Sequence, residues 1–244
     1  MIYLEKINGI DLEGIEEDDY LIDIPAIKNF KEMTFEKSVT FFVGENGTGK
    51  STLLEGIAIS LGFNPEGGSK NFNFATNDTH SELGNLMNIN RGIIRERDGF
   101  FLRAESFYNV ASEIDELDKL GNSGFMNYYG GKSLHKQSHG ESFRSIINNR
   151  FSGNGIYILD EPESALSPTS QMSLLCIINN LVKRNSQFII ATHSPILLAY
   201  PESDIYEFSE EGIKKTEYKL TDTYSITKSF LDNPERMIHL LFDE

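Results

Sequence analysis

The sequence predicts an α/β fold built on a largely parallel sheet covered by helices on both faces. Strand-like runs alternate with helix-compatible runs along most of the chain. The run Ile156-Tyr157-Ile158-Leu159 is apolar at every position, the mark of a strand buried on both faces. An apolar run over 39–43 also ends in a Gly-rich turn that opens directly into a helical stretch.

Taken in order, residues 20–24 and 39–43 read as strands, and 50–61 as the helix after the Gly-rich turn. From 62 to about 99, Asn, Gly and Ser dominate without periodicity, so the expectation is loops and short elements. A strand over 99–105 precedes a helix over 110–120, and 121–131 is a flexible stretch of Gly, Asn and Tyr. A helix over about 140–151 leads into the buried strand 156–159, then a helix over 168–183 and a strand over 187–191. The tail adds strands over 204–208 and 213–218 and a helix that Pro234 divides. The organisation expected is one unit, 1–244, with a core of 1–63 and 151–244 and an inserted, mostly helical subdomain over 64–150.

Composition narrows the functional classes. With 39% hydrophobic and 24% charged residues the chain has ordinary globular usage, which excludes fibrous and wholly disordered classes. Twenty-two basic against 37 acidic residues leave a net charge of −15, which opposes binding to DNA through the overall field. Positive charge gathers at Arg91, Arg95, Arg97 and Arg103, which read as solvated surface, and again at Lys132, Lys136, Arg144 and Arg150. No apolar run is long enough to span a bilayer, and the start carries no basic segment followed by a long apolar one. With a lone Cys176, these features lead to the expectation of a soluble, cytoplasmic protein with no membrane partner.

The chemistry is concentrated in two places. Gly44-Glu45-Asn46-Gly47-Thr48-Gly49-Lys50-Ser51 fits the phosphate-loop pattern, and it lies between a strand and a helix, where that mechanism requires it. Backbone N–H groups of such a loop close around phosphate oxygens, and Thr52 extends the cradle into the helix. Lys50 reaches the β and γ phosphates, and Ser51 ligates Mg2+. The second place is the end of the buried strand, where Asp160 is positioned to hold Mg2+ through water and Glu161 to orient the water that attacks the γ-phosphate. Tyr20 reads as a core aromatic before it reads as a base-stacking one. With one cysteine and no ligand partners at useful spacing for His80 or His239, a structural zinc is excluded. No G-x-S-x-G occurs, so an esterase has no support.

Two further motifs carry a family resemblance. Ser138-His139-Gly140-Glu141-Ser142 begins 22 residues before Asp160, and Ala191-Thr192-His193-Ser194-Pro195 places its histidine 33 residues after it. With them the chain resembles ATP-binding-cassette ATPases from about residue 20 to 210. The resemblance implies an ABC-type ATPase head that binds ATP and Mg2+ and hydrolyses ATP. It implies that Ser138 and Gly140 cap the γ-phosphate bound on an opposite protomer, while His193 contacts the γ-phosphate of its own, so that a homodimer forms on ATP binding. Ser164-Ala165-Leu166 matches the segment that lies along that dimer interface. Ile27-Lys28-Asn29-Phe30 through Thr40-Phe41-Phe42-Val43 resembles the SMC and DNA-repair branch, and the motif set looks most like compact bacterial predicted ATPases of this length.

The chain departs from the family in four ways. His139 and Glu141 replace the signature's second glycine and its glutamine, and Ser167 stands where an aspartate is common. About 87 residues separate Ser51 from Ser138 with no sustained heptad, so no long coiled coil is present. The glutamine that the family places at a strand end in that interval is missing, since the glutamines are Gln137, Gln171 and Gln187. Glu105 and Ser106 are the candidate substitutes. The reading is an ATPase whose heads dimerise on ATP and drive an unknown protein partner. The alternatives are a nucleotide-gated binding module with very slow turnover, a monomeric or ring-forming phosphate-loop ATPase, and a DNA-repair-like ATPase.

Overall fold

The structure, a computed structural model, describes residues 1–13, 15, 19–70, 82–103, 107–119, 127 and 129–242. The N-terminal part runs β1 (Leu4–Ile10), α1 (Tyr20–Asp23), α2 (Pro25–Lys28), β2 (Met33–Thr34), β3 (Val39–Gly44) and α3 (Lys50–Ser60). Then come α4 (Leu83–Leu86), β4 (Met87–Arg91), β5 (Asp98–Arg103), α5 (Phe107–Lys119) and α6 (His139–Arg150). The C-terminal part runs β6 (Gly155–Asp160), α7 (Pro168–Val182), β7 (Gln187–Ala191), α8 (Pro195–Leu198), β8 (Asp204–Ser209), β9 (Gly212–Thr216), α9 (Asp222–Asp232) and α10 (Pro234–Phe242).

A six-stranded sheet has the order β5-β6-β7-β3-β8-β9, parallel except for β9, and β2-β1-β4 form a separate antiparallel sheet. Alternate residues of the central strands feed two apolar layers, as a pleat of period two dictates. Phe41, Val43, Tyr157, Leu159, Phe188 and Ile190 pack on one face with residues of α5, α6 and α7. Phe42, Ile156, Ile158, Ile189 and Ala191 pack on the other with α3 and the small sheet. Each fully buried Phe, Ile or Leu adds about 1.5–3 kcal/mol of burial free energy, so the two layers are the main source of stability.

Polar staples set how these layers meet. The buried Gln187 accepts from the Tyr3 and Leu4 N–H groups at 2.8 and 2.9 Å and donates to Leu4 O at 2.9 Å, joining β1 to β7. Asp98, at the start of β5, accepts from Arg150 Nη1 (2.6 Å), Ser152 N (3.0 Å), Ser152 Oγ (2.9 Å) and Tyr157 Oη (2.8 Å), which ties α6 to the edge of the sheet.

Three expectations need correction. Residues 20–24 are not a strand: Asp19 caps α1 by accepting from Leu21 N at 2.9 Å, and Pro25 begins α2. Tyr20 is accordingly 55% exposed and no part of the core. The stretch 64–150, expected as a mostly helical insertion apart from the core, also supplies β4 to the small sheet and β5 to the six-stranded sheet, with α5 and α6 as its long helices among the described residues. The strand β1 escaped the sequence reading because register shifts between Leu4 and Lys6 and between Ile7 and Gly9 break its alternation.

Burial pushes the Asp98 carboxyl up, but Arg150 and the donors of Ser152 and Tyr157 outweigh it and hold the group below the ordinary carboxylate range. Its stabilising effect is therefore complete above that range and is lost as pH falls through the depressed folded-state value. Asp98→Asn is expected to cost about 3 kcal/mol in urea unfolding at pH 7, since the half-buried Arg150 loses its counter-ion, and the gap from the parent should narrow as pH falls below the ordinary carboxylate range.

Candidate nucleotide site

Three parallel strands end level with one another, and β3 beside them runs two residues further, to Gly44. Arg103 on β5 pairs with Asp160 on β6, Asp160 with Ala191 on β7, and Ala191 with Phe42 on β3. The residues that follow these ends therefore emerge on one edge of the sheet, the carboxyl edge where α/β folds place ligands.

The loop after β3 is built for close backbone approach. Gly44 has φ of +135°, and a Cβ there would lie 2.2 Å from Phe208 O on the neighbouring β8. Gly49 caps α3 at φ of +98° with no side-chain cap on the helix, so the first N–H groups of this 11-residue helix are left for another acceptor. Thr48 Oγ1 donates to Glu45 O at 2.8 Å and closes the loop, while Glu45, Asn46 and Gly47 remain exposed at its rim.

Lys50 lies folded over this loop, 4% exposed, with Nζ donating to Gly44 O at 2.9 Å and Glu45 O at 2.7 Å. Burial lowers its pKa against the opposing pull of Glu161, Asp160, Glu163 and Glu45. A phosphate would relieve that desolvation.

Ser51 Oγ donates to Asp160 Oδ1 at 3.0 Å, and Asp160 is 5% exposed. Two hard oxygens side by side suit Mg2+, which takes one or two protein ligands and completes its shell with water and phosphate. Among the described residues no group of three His, Cys, Asp or Glu side chains could hold a metal by itself. The donor set thus fits a metal that arrives with its phosphates.

Glu161 has φ of +49°, a left-handed conformation that costs a non-glycine residue about 1 kcal/mol. It is held there by its N–H bond to Ala191 O at 3.0 Å and by Pro162, which starts a 3-10 turn. The bend brings Oε1 to 3.6 Å from His193 Nε2, a buried atom with no hydrogen-bond partner. The His193 N–H donates to Glu163, so the acids after β6 also fix the end of β7.

Lys50, Ser51, Asp160, Glu161 and His193 are thus brought together, with Gly44, Asn46, Gly47, Thr48, Gly49 and Thr52 in the adjoining loop and helix start. Ser138 and Gly140 stand on another element, at the N-terminus of α6. Ser138 is exposed and forms a capping box with Glu141, its N–H and Oγ donating to Glu141 Oε2 at 2.9 and 2.7 Å. A Cβ on Gly140 would lie 2.9 Å from Ala165 O, so α6 abuts the turn after Glu161. Glu105, Ser106 and His80 lie outside the described residues.

The sequence reading missed Gln171. Buried on α7, it donates to Leu166 O at 3.0 Å and accepts from Ser194 Oγ at 2.6 Å, joining the 164–166 segment to the segment that carries His193. Its residue type offered no signal, since only the fold places the two segments on either side of it.

A family model described as "ABC transporter" matches residues 27–164, more than half of the chain. The chain belongs to this family of ATP-binding cassettes. Members of the ABC ATPase family bind ATP, usually with Mg2+, and hydrolyse it. A second model, "AAA domain, putative AbiEii toxin, Type IV TA system", matches residues 133–199. A Pyrococcus furiosus protein named "Putative ABC transporter ATP-binding protein" is 27% identical over 228 residues, which cover 81% of this chain and 84% of that protein. The ABC transporter G family member STR2 of Medicago truncatula is 27% identical over 176 residues, 64% of this chain and 24% of that protein. Among solved structures, cbiO1 of Clostridium perfringens, part of the ABC transporter complex cbiONQ, aligns over 99% of both chains with 18% identity and a TM-score of 0.56. That likeness bears out the ABC cassette fold. Among the described residues no helix is long and apolar enough to cross a membrane.

Lys50→Ala removes the one ammonium folded over the loop, and ATP affinity measured by calorimetry is expected to fall at least about tenfold. An unchanged affinity would mean that the loop does not hold the phosphates.

Proposed function

We propose that this cassette works as a pair: two copies close head to tail on two ATP molecules, and hydrolysis reopens them. The observation that carries the proposal is that the hydrogen bonds of Ser138 stay within α6 and none reaches the phosphate-loop cluster of the same copy. The phosphate loop, Asp160, Glu161 and His193 form one cluster, while Ser138 faces solvent on α6 and hydrogen-bonds to Glu141 rather than to that cluster. A second copy supplies Ser138 and Gly140 to the exposed side of the γ-phosphate, with the 164–166 segment along the contact.

In this reading Lys50 neutralises the β and γ phosphates, and Ser51 and Asp160 hold Mg2+. When bound, the metal offsets charge on the transferring group. Glu161 accepts a hydrogen bond from the attacking water, and His193 Nε2 donates to a γ-phosphate oxygen. The water oxygen bonds to the γ-phosphorus as the bond to the β–γ bridging oxygen breaks, leaving ADP and phosphate. The unpartnered Nε2 beside Glu161 supports this division of roles.

The segments 27–30 and 40–43 support the SMC and DNA-repair-like branch. DNA is disfavoured, because the net charge is −15 and Arg91, Arg103 and Arg150 each pair with acids.

Glu161→Gln is expected to bind ATP nearly as the parent does while turnover falls about a hundredfold or more. Near-parental turnover would remove Glu161 from the chemistry. In that background light scattering should register a dimer with ATP and Mg2+ but not with ADP. Adding Ser138→Arg should abolish the dimer while leaving ATP binding intact. Equal masses in all these mixtures would favour a head that acts alone.

A further inference from the structure

Beyond the end of β7 the backbone N–H groups leave the sheet ladder. Thr192 N makes the last bond to a neighbouring strand, donating to Phe42 O at 3.0 Å. The next two turn to side chains, His193 N to Glu163 and Ser194 N to Thr192 Oγ1 at 3.0 Å. Side chains therefore set the place of His193, and Glu163 ties it to the turn that begins at Glu161.

Gln171, near the start of α7 and 9% exposed, is a second tie between the same two segments. Its Oε1 accepts from Ser194 Oγ at 2.6 Å, and its Nε2 donates to Leu166 O at 3.0 Å. Ser194 Oγ already accepts from Ile196 N and Leu197 N at 3.2 Å each, so its single proton is the one that Gln171 receives. That fixes the amide, with its oxygen toward Ser194 and its NH2 toward Leu166. The position thus demands an acceptor and a donor on one side chain. Glutamine offers both at this length, whereas an ionised glutamate lacks the donor and a methionine lacks both. At the far end the tie reaches a turn bonded in series back to Glu161, since Leu166 N donates to Glu163 O at 2.9 Å and Ser164 N to Glu161 O at 3.1 Å.

Glu163 and Gln171 together bracket His193, one at its own N–H and the other at the next residue, with His193 Nε2 3.6 Å from Glu161 Oε1. We infer that Gln171 is a positioning residue for hydrolysis: it fixes the segment after β7 against the turn after β6, so that the His193 ring stands beside Glu161 and both bear on one γ-phosphate. The inference rests on the reading of His193 and Glu161 as the groups that act there, and it adds the residue that sets their spacing. Its effect falls on turnover rather than on ATP binding, because both hydrogen bonds of the Gln171 amide go to segments other than the phosphate loop.

The test compares Gln171→Met, which keeps the length and loses both hydrogen bonds, with the parent in the full chain. Turnover at saturating ATP and Mg2+ is expected to fall about tenfold or more, while the Kd for ATP from calorimetry stays within about twofold. A double-mutant cycle, followed by single-turnover hydrolysis of labelled ATP, separates positioning of His193 from a general loosening. His193→Ala should lose turnover, and adding Gln171→Met to it should remove less than about twofold more, because the ring that Gln171 places is gone. An equally large loss in the His193→Ala background would overturn the inference. So would parental turnover in Gln171→Met, or a Kd for ATP that rises in step with the loss. If circular dichroism shows Gln171→Met unfolded, Ser194→Ala, which cuts the same tie from its other end, takes its place in the cycle with the same expectations. Parental turnover in His193→Ala is a different failure, since it would remove His193 from the γ-phosphate and the inference with it.

Discussion

The hydrogen bond from Ser51 to Asp160, 3.0 Å long, spans a gap of one whole strand, because β7 lies between β6 and β3. Neighbouring strands stand about 4.8 Å apart, so the two strand ends are separated by about 10 Å. The phosphate loop closes that distance by turning back across the sheet edge. The loop leaves β3 at Gly44, whose backbone passes so close to Phe208 on β8 that no side chain would fit. The nearly level ends of these parallel strands bring the loop after β3, Asp160 and the residues after β7 to one edge of the sheet.

The same edge explains how an acidic chain holds an anion. Net charge acts over the whole surface and is screened within about 10 Å at ordinary salt, whereas Lys50 and the free N–H groups of α3 act at contact distance in a partly dry site. Burial already weakens the hold of Lys50 on its proton. The carbonyls of Gly44 and Glu45 hold the ammonium over the loop, where phosphate oxygens would compete for it in the proposed reading. Asp160 also faces a cation, Arg103, whose Nε lies 3.5 Å from Oδ2 and whose Nη1 lies 2.6 Å from Glu55 Oε2.

Rigidity is supplied by buried polar side chains as well as by the apolar layers. Gln187 fastens the small sheet to β7, Asp98 fastens α6 to β5, and Gln171 joins the segments on either side of the site. Each is satisfied at both ends of its side chain, which is the condition under which a buried polar group adds specificity without a large penalty. The position of α6 matters most, since its exposed N-terminus carries Ser138 and its contact with Ala165 links it to the turn after Glu161.

Much of this was legible in the residues themselves. The phosphate loop, the acids after the apolar run Ile156–Leu159 and the histidine after 187–191 are local patterns, and strand, helix and motif agree at each of them. Pairings distant in the chain were not legible. The helix at Tyr20 depends on a cap and a proline that a short apolar run obscures, and β1 on a partner 80 residues away whose bulges erase the alternation. Arg103 looked like surface charge and Gln171 like an ordinary helix residue. Residue type, spacing and hydropathy set the elements and the chemistry available, because those follow from neighbours in the chain. Which glutamine bridges which segments, and which arginine stands beside Asp160, depended on the register of parallel strands, which only long-range packing decides.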